Sequence, residues 1–234
     1  MNSASKDYLA EAKSYLHEKQ IIAVGFDYWF TLVKAKDGER RERTAKITGA
    51  PLERVYEVWS ELQRNLFRTT RDFVEKFLTN IGISEDSPKY EDLKKKLCDY
   101  YDSDAMNCQV YPDVIDTLSY LKKKKYKLGL LSNIHSPYKK SFYRLHLNKF
   151  FDAVCFSDEI GAKKPDSSAY HSMIQMLGLP LYRSGILFVG DDPSHDATVP
   201  RESENLPALL LDREDKHKEI PYRIQSLADL TNLL

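Results

Sequence analysis

The chain has 234 residues, enough to bury one α/β core with a satellite but short for several independent domains. Its 35 basic residues balance 35 acidic ones, so no net field of either sign draws it to nucleic acid or to a charged membrane surface. The cysteines Cys98, Cys108 and Cys155 lack the close spacing of zinc or redox motifs, and the opening MNSASKDYLAEAK has no apolar segment, so the expectation is a cytoplasmic protein with free thiols and no leader or anchor.

In chain order, Ser5 to Lys19 predicts a helix on the outside of the core. Five apolar runs then read as buried strands: IIAVGFD from Ile21, KLGLLSN from Lys127, AVCFSD from Ala153, ILFVGD from Ile186 and PALLLD from Pro207. Helical periodicity separates the later ones, over Asp113 to Lys125, Pro137 to Leu147, Ser167 to Leu177 and Asp196 to Glu204. Alternation of this kind predicts an α/β fold, a doubly wound, mainly parallel sheet covered on both faces.

Roughly a hundred residues lie between the first two strands, where a crossover needs only about a dozen. PLERVYEVWSELQRNLF places Val55, Val58, Trp59, Leu62 and Leu66 on one helical face, and RDFVEKFL and YEDLKKKLCDYY add two further amphipathic segments. A helical cap over 34–107 is expected, inserted into a core made of 1–33 and 108–234.

In an open parallel sheet, ligands bind beyond the carboxyl ends of the strands, where loops diverge and helix N-termini point. There the first strand ends in Asp27, the second in Ser132 and Asn133, and the fourth in Asp191 and Asp192; Lys164 follows the third within GAKKPD. A carboxylate, a hydroxyl with an amide, an ammonium and an acidic cluster are the means to handle phosphate and a metal ion. Each has a plainer reading. Asp27 would serve to end a strand, Lys164 as loop charge, and Asp196 to favour the dipole of the helix it opens.

The four segments FDYWFTL, LLSN, KKPD and VGDDPSHD, taken in order, resemble the four motifs of the haloacid dehalogenase-like superfamily, and the inserted helices sit where many of its members carry a substrate-selecting cap. The resemblance implies Asp27 as nucleophile, Lys164 as stabilising cation and Ser132 as phosphate ligand. It gives Thr31 the support of the nucleophile's loop, close to substrate. Asn133 would donate to the phosphoryl group and Trp29 would border the substrate. Mg²⁺ would be held by Asp27, Asp191, Asp192 and the Trp29 carbonyl, with Asp196 completing the acidic cluster.

Trp29 departs from the pattern, because phosphatases of the superfamily have there a second aspartate that protonates the leaving group and later activates water. Indole cannot do this, and losing the step costs about 10² to 10⁴ in rate. Dehalogenases of the superfamily also lack that aspartate, and LSNIHSPY resembles their second motif. Against them stands the adjacent pair Asp191 and Asp192, costly to crowd without a cation.

The favoured expectation is therefore a Mg²⁺-dependent hydrolase of small phosphate esters working through an aspartyl phosphate. A 2-haloacid dehalogenase-type hydrolase and a non-catalytic binding protein are the alternatives. The partner would be a small, phosphorylated molecule, with no role for nucleic acid or membrane. His135 and His195 are candidates to replace the missing proton transfer, and Arg40, Arg41 and Arg43 open the insertion where an anionic substrate could be met.

Overall fold

Val, Ile, Leu and Phe in unbroken runs make strands that need cover on both faces, and the computed structural model, which describes residues 4–35, 40–180 and 185–234, builds the sheet from those runs. In chain order the strands are β1 Ala23–Phe26, β2 Val33–Lys34, β3 Gln109–Val110, β4 Lys127–Ser132, β5 Ala153–Phe156, β6 Ile186–Gly190, β7 Ala208–Leu211 and β8 Arg223–Ile224. Six form one sheet in the order β5-β4-β1-β6-β7-β8, parallel throughout. β1 lies in the middle with every residue buried, as does every residue of β6. The short β8 has no counterpart among the apolar runs of the sequence, being only two residues long.

The helices are α1 Ala4–Leu16, α2 Arg40–Thr48, α3 Leu52–Leu62, α4 Thr70–Asn80, α5 Tyr90–Met106, α6 Val114–Lys123, α7 Ser136–Arg144, α8 Ser157–Ile160, α9 Ser167–Met176, α10 Val199–Glu202 and α11 Leu230–Leu233. One core cluster runs from β1 and β4 through α6 and α7 into the inserted helices; the other lies under α9, around Tyr170, Met173, Ile174 and Phe188. α9 packs so closely that a Cβ on Gly25 would come within 2.7 Å of Met173.

Among the described residues the insertion holds four helices, α2 to α5. Its two ends are joined by an antiparallel pair, with Val33 opposite Val110 and Lys34 opposite Gln109. Residues 36–39 of the expected cap lie outside the described residues. α2 goes beyond the expectation, since RRERTAKIT carries too little apolar periodicity to announce a helix. α3 is shorter than its sequence pattern. It buries Val55, Val58, Trp59 and Leu62 but stops there, and Leu66 is 63% exposed in the connection that leads to the capping box of Thr69 and Asp72 at the start of α4. The helix expected over Asp196 to Glu204 is instead a π-helical turn, Pro193–Thr198, followed by α10. Among the described residues no helix is long and apolar enough to cross a membrane, and the three cysteines are unpaired.

Candidate active site

Asp27 is the first residue beyond β1. Its N–H donates to the Val189 carbonyl of β6 at 3.0 Å, and the tight turn after it returns the N–H groups of Leu32 and Val33 to the Tyr28 carbonyl. This turn fixes the Asp27 carboxylate at the carboxyl edge of the sheet, 8% exposed, and contains the Trp29 carbonyl. Lys164 reaches the same place from beyond β5: its Nζ donates to Asp27 Oδ1 at 2.7 Å and to Asp196 Oδ1 at 2.6 Å. Its backbone is clamped by Asn133, whose Oδ1 accepts from the Lys164 N–H at 2.8 Å and whose Nδ2 donates to the Lys164 carbonyl at 2.7 Å.

Asp191 follows β6 and accepts from Thr31 Oγ1 at 3.0 Å. Oxygens of Asp27, Asp191 and Asp196 lie within 4.8 Å of one another. Gly190 makes this possible, since a Cβ there would collide with the Asp196 carboxylate. The Thr31 carbonyl is held at 3.0 Å by Arg213 Nη2, itself paired with Asp113 at 2.8 and 3.1 Å.

Two expectations need correcting, those for Asp192 and Thr31. Asp192 does not join the acidic cluster: its Oδ1 caps the π-helical turn, accepting from the N–H groups of Ser194 at 2.9 Å and His195 at 2.7 Å, and Asp196 takes the third position. Asn133 lines the cavity and spends its Oδ1 and one N–H of its amide on the Lys164 backbone, which leaves its second N–H for a phosphoryl oxygen. Thr31 is fully buried and bonded to Asp191 rather than facing substrate. The roles of Arg213 and Asn133 as positioning groups have no signal in the sequence, since each acts on a backbone carbonyl or N–H far away in the chain.

Three carboxylates facing one ammonium leave negative charge in excess, and their proton affinities reflect it. Burial raises the pKa of Asp27 to about 6, and Asp196 adds to this against the opposing pull of Lys164. Burial, Asp27 and Asp196 push Asp191 well above the usual carboxylate range. Burial alone would lower Lys164, yet Asp196 and Asp27 outweigh it and hold its pKa high, so it stays an ammonium. The clustered hard oxygen donors and their surplus charge fit a divalent cation such as Mg²⁺.

Above the cluster opens a cavity of about 530 Å³ lined by core and insertion together. On the core side are Asp27, Trp29, Ser132, Lys164 and Asp191. Across from them stand Arg40, Arg41, Trp59, Ser60 and Gln63, and Lys163 beside them reaches the Ser60 carbonyl at 3.1 Å. Trp29 is 8% exposed, with the Arg40 guanidinium 3.6 Å from its ring centroid. Arg43 is not among the lining residues and lies 5.8 Å over Tyr100.

His135 lines the cavity but is buried. Its Nε2 is 2.8 Å from the Trp59 carbonyl, so that nitrogen carries the proton. Burial drives its pKa down to about 3, and the positive charges of Arg41, Arg40 and Lys163 work in the same direction. It is therefore neutral and committed. His195 is half-exposed at the rim, with Nδ1 3.5 Å from Asp192.

A family model described as haloacid dehalogenase-like hydrolase matches residues 7–202, and the chain belongs to that family of hydrolases. Among curated relatives, the glyceraldehyde 3-phosphate phosphatase of Methanothermobacter thermautotrophicus is 31% identical over 122 residues, covering 52% of this chain and 53% of the relative. The phosphoglycolate phosphatase of Pseudomonas fluorescens is 28% identical over 143 residues, covering 52% and 50%. The chain thus spans about half the length of these relatives.

Solved structures share the fold over nearly the whole chain. A HAD phosphatase from Thermococcus onnurineus superposes with a TM-score of 0.61 at 24% identity, covering 91% of this chain and 97% of that one. A 2-haloacid dehalogenase from Pseudomonas syringae pv. tomato gives 0.64 at 20%, with the same coverage.

Proposed function

We propose that the protein is a divalent-cation-dependent phosphatase in which Asp27 is the nucleophile and the inserted helices serve as a cap that selects the substrate. The observation that carries this reading is the surplus of carboxylate at the floor: Asp27, Asp191 and Asp196 within 4.8 Å, with Lys164 as the only ammonium bonded among them in the described residues. A dehalogenase has no need of such a surplus, and the two relatives described above are named as phosphatases.

Asp27, Asp191 and Asp196, with the Trp29 carbonyl as a further donor, would hold Mg²⁺, which supplies the positive charge that lets a phosphate dianion approach a carboxylate. Lys164 keeps Asp27 ionised and oriented, its own protonation secured by Asp196. The Ser132 hydroxyl, at the end of β4 and in the cavity wall, is the phosphoryl hydrogen-bond donor of this chain. Asp27 Oδ attacks phosphorus, the phosphorus–oxygen ester bond breaks, and the leaving oxygen departs with the electron pair and takes up a proton. Water then attacks the aspartyl phosphate, the bond to Asp27 breaks, and inorganic phosphate leaves with the carboxylate restored.

Trp29 gives neither step a proton carrier, and His135 is excluded by its bond to Trp59 and its low pKa. Leaving groups therefore have to draw a proton from solvent or from His195, and rates fall steeply as the leaving group becomes more basic.

The test is a panel of aryl and alkyl phosphates and 2-halo acids, with and without Mg²⁺, with Asp27→Asn as control. Mg²⁺-dependent release of phosphate, lost in Asp27→Asn, supports the reading. Release of halide without metal would replace it by the dehalogenase that Trp29 favours, and ligand binding with no turnover would reduce the protein to a binding module.

A further inference from the structure

The wall of the cavity opposite the acidic floor carries charge that phosphoryl transfer does not use. Arg40 and Arg41 begin α2, and Lys163 comes from the segment before Lys164; all three line the cavity. Arg40 is held rigidly: its guanidinium carbon sits 3.6 Å from the Trp29 ring centroid and 4.5 Å from that of Tyr138, and its Nε donates to Asp104 at 2.5 Å. Its Nη2 is buried with no acceptor, and so are Trp29 Nε1 and Tyr138 Oη in the same stack. Buried donors left without acceptors cost about 1–3 kcal/mol each and call for a reason.

Arg41 is half-buried, 4.6 Å over the Tyr56 ring, and makes no ion pair with any described residue. Lys163 is half-buried too, and its pKa is lowered by burial and by the nearby Arg64 and Arg41 against the pull of Asp166. These groups together depress His135 as well. Cations gathered on one wall repel one another, and an arriving anion relieves that repulsion.

We propose that Arg40, Arg41 and Lys163 form a subsite for a carboxylate on the leaving group, so that the substrates are phosphate monoesters of small hydroxy acids. This rests on the phosphatase reading and extends it to the substrate class. Charge favours a carboxylate over a second phosphate. The three cations are opposed by Asp104, bonded to Arg40, and by Glu42, which lines the cavity and accepts from Tyr56 Oη at 3.0 Å. One positive charge is left, which matches a monoanion and not a dianion. The planar guanidinium of Arg40, held in the cavity wall by Asp104 and the Trp29 and Tyr138 rings, suits a carboxylate. The substrates that name the two curated relatives differ in this feature, since phosphoglycolate carries a carboxylate and glyceraldehyde 3-phosphate does not. The wall sides with the former kind.

The experiment compares matched pairs on the full chain with Mg²⁺: 2-phosphoglycolate against ethyl phosphate, and 3-phosphoglycerate against glycerol 3-phosphate, with propane-1,3-diyl bisphosphate as a third arm and phenyl phosphate as reference. The carboxylate member of each pair is expected to have a kcat/KM higher by about tenfold or more, and that ratio to collapse toward unity in Arg41→Gln and Lys163→Gln. Equal kcat/KM within the pairs, a ratio untouched by both variants, or a preference for the bisphosphate would overturn the proposal. Phenyl phosphate separates the two levels: if it is not hydrolysed, the phosphatase reading fails on its own account. The subsite is then read by equilibrium binding of 2-phosphoglycolate against ethyl phosphate to Asp27→Asn, where equal affinities would sink it.

Discussion

At the floor of the cavity, Asp27 and Asp191 from two strand ends, Asp196 from the π-helical turn and Lys164 from a loop converge, whereas the wall contributed by the inserted helices sets Arg40, Arg41, Ser60 and Gln63 against an aromatic backing. Trp59 alone meets Tyr101 edge-on at 5.4 Å, Phe73 at 6.0 Å and His135 at 4.7 Å. The floor inherits its geometry from the sheet: β1, β4 and β6 are hydrogen-bonded neighbours, so the loops leaving their carboxyl ends must run side by side. The wall inherits nothing from the sheet. Its side chains are set by helix packing, and its polar groups are partly left without partners.

Mutations separate the two regions, and the largest effect is expected for the proposed nucleophile. Asp27→Asn should reduce phosphate release by more than about 10⁴-fold, measured by steady-state kinetics, while the far-ultraviolet circular dichroism stays unchanged. A smaller loss would mean that the floor is not where the chemistry occurs. Lys164→Met leaves Asp27, Asp191 and Asp196 buried without their ammonium, and should cost about 3–5 kcal/mol in denaturant-induced unfolding at neutral pH as well as activity. Gly190→Ala forces the Asp196 carboxylate aside; a destabilisation of about 1–3 kcal/mol and a loss of the Mg²⁺ response are expected.

The surplus charge of the floor also predicts a pH dependence. Asp27 has a folded-state pKa above the ordinary carboxylate value, so the folded protein holds a proton that the unfolded chain releases. Its contribution is greatest at low pH and falls as pH rises from about 4 through about 6, and Asp191 acts in the same direction. Mg²⁺ should therefore raise Tm more at about pH 7.5 than at about pH 5, and an equal gain at both would show that the ion does not bind at these carboxylates. The smallest effect is expected for Asp192→Ala, which loses a turn cap worth about 1 kcal/mol and keeps the Mg²⁺ response; loss of that response would restore Asp192 to the metal set.

Much of the floor is legible in the sequence because chemistry and secondary structure coincide there. Asp27, Ser132, Lys164 and Asp191 each stand at or just past the end of an apolar run, and a parallel sheet brings such ends together. The choice between Asp192 and Asp196 is not legible. Both follow β6 within six residues, and only the π-helical turn, with Ser194 and His195 N–H groups drawing Asp192 outward, decides which carboxylate turns in. The clamp that Asn133 puts on the Lys164 backbone is equally illegible, because an amide at a strand end suits a ligand as well as it suits a neighbouring backbone. In the insertion, amphipathic spacing reveals α3, α4 and α5 but not the charged α2, which carries Arg40 and Arg41.

The sequence by itself determined the sheet, the point of insertion and the stock of charged groups at the strand ends, because apolar periodicity is local and strand ends converge by geometry. The tertiary structure alone decided which carboxylates face the Lys164 ammonium, that His135 is sealed against Trp59, and that Arg40, Arg41 and Lys163 share one wall. Those outcomes depend on side-chain rotation and on partners up to 182 residues apart, as between Arg213 and Thr31, and no local pattern records them.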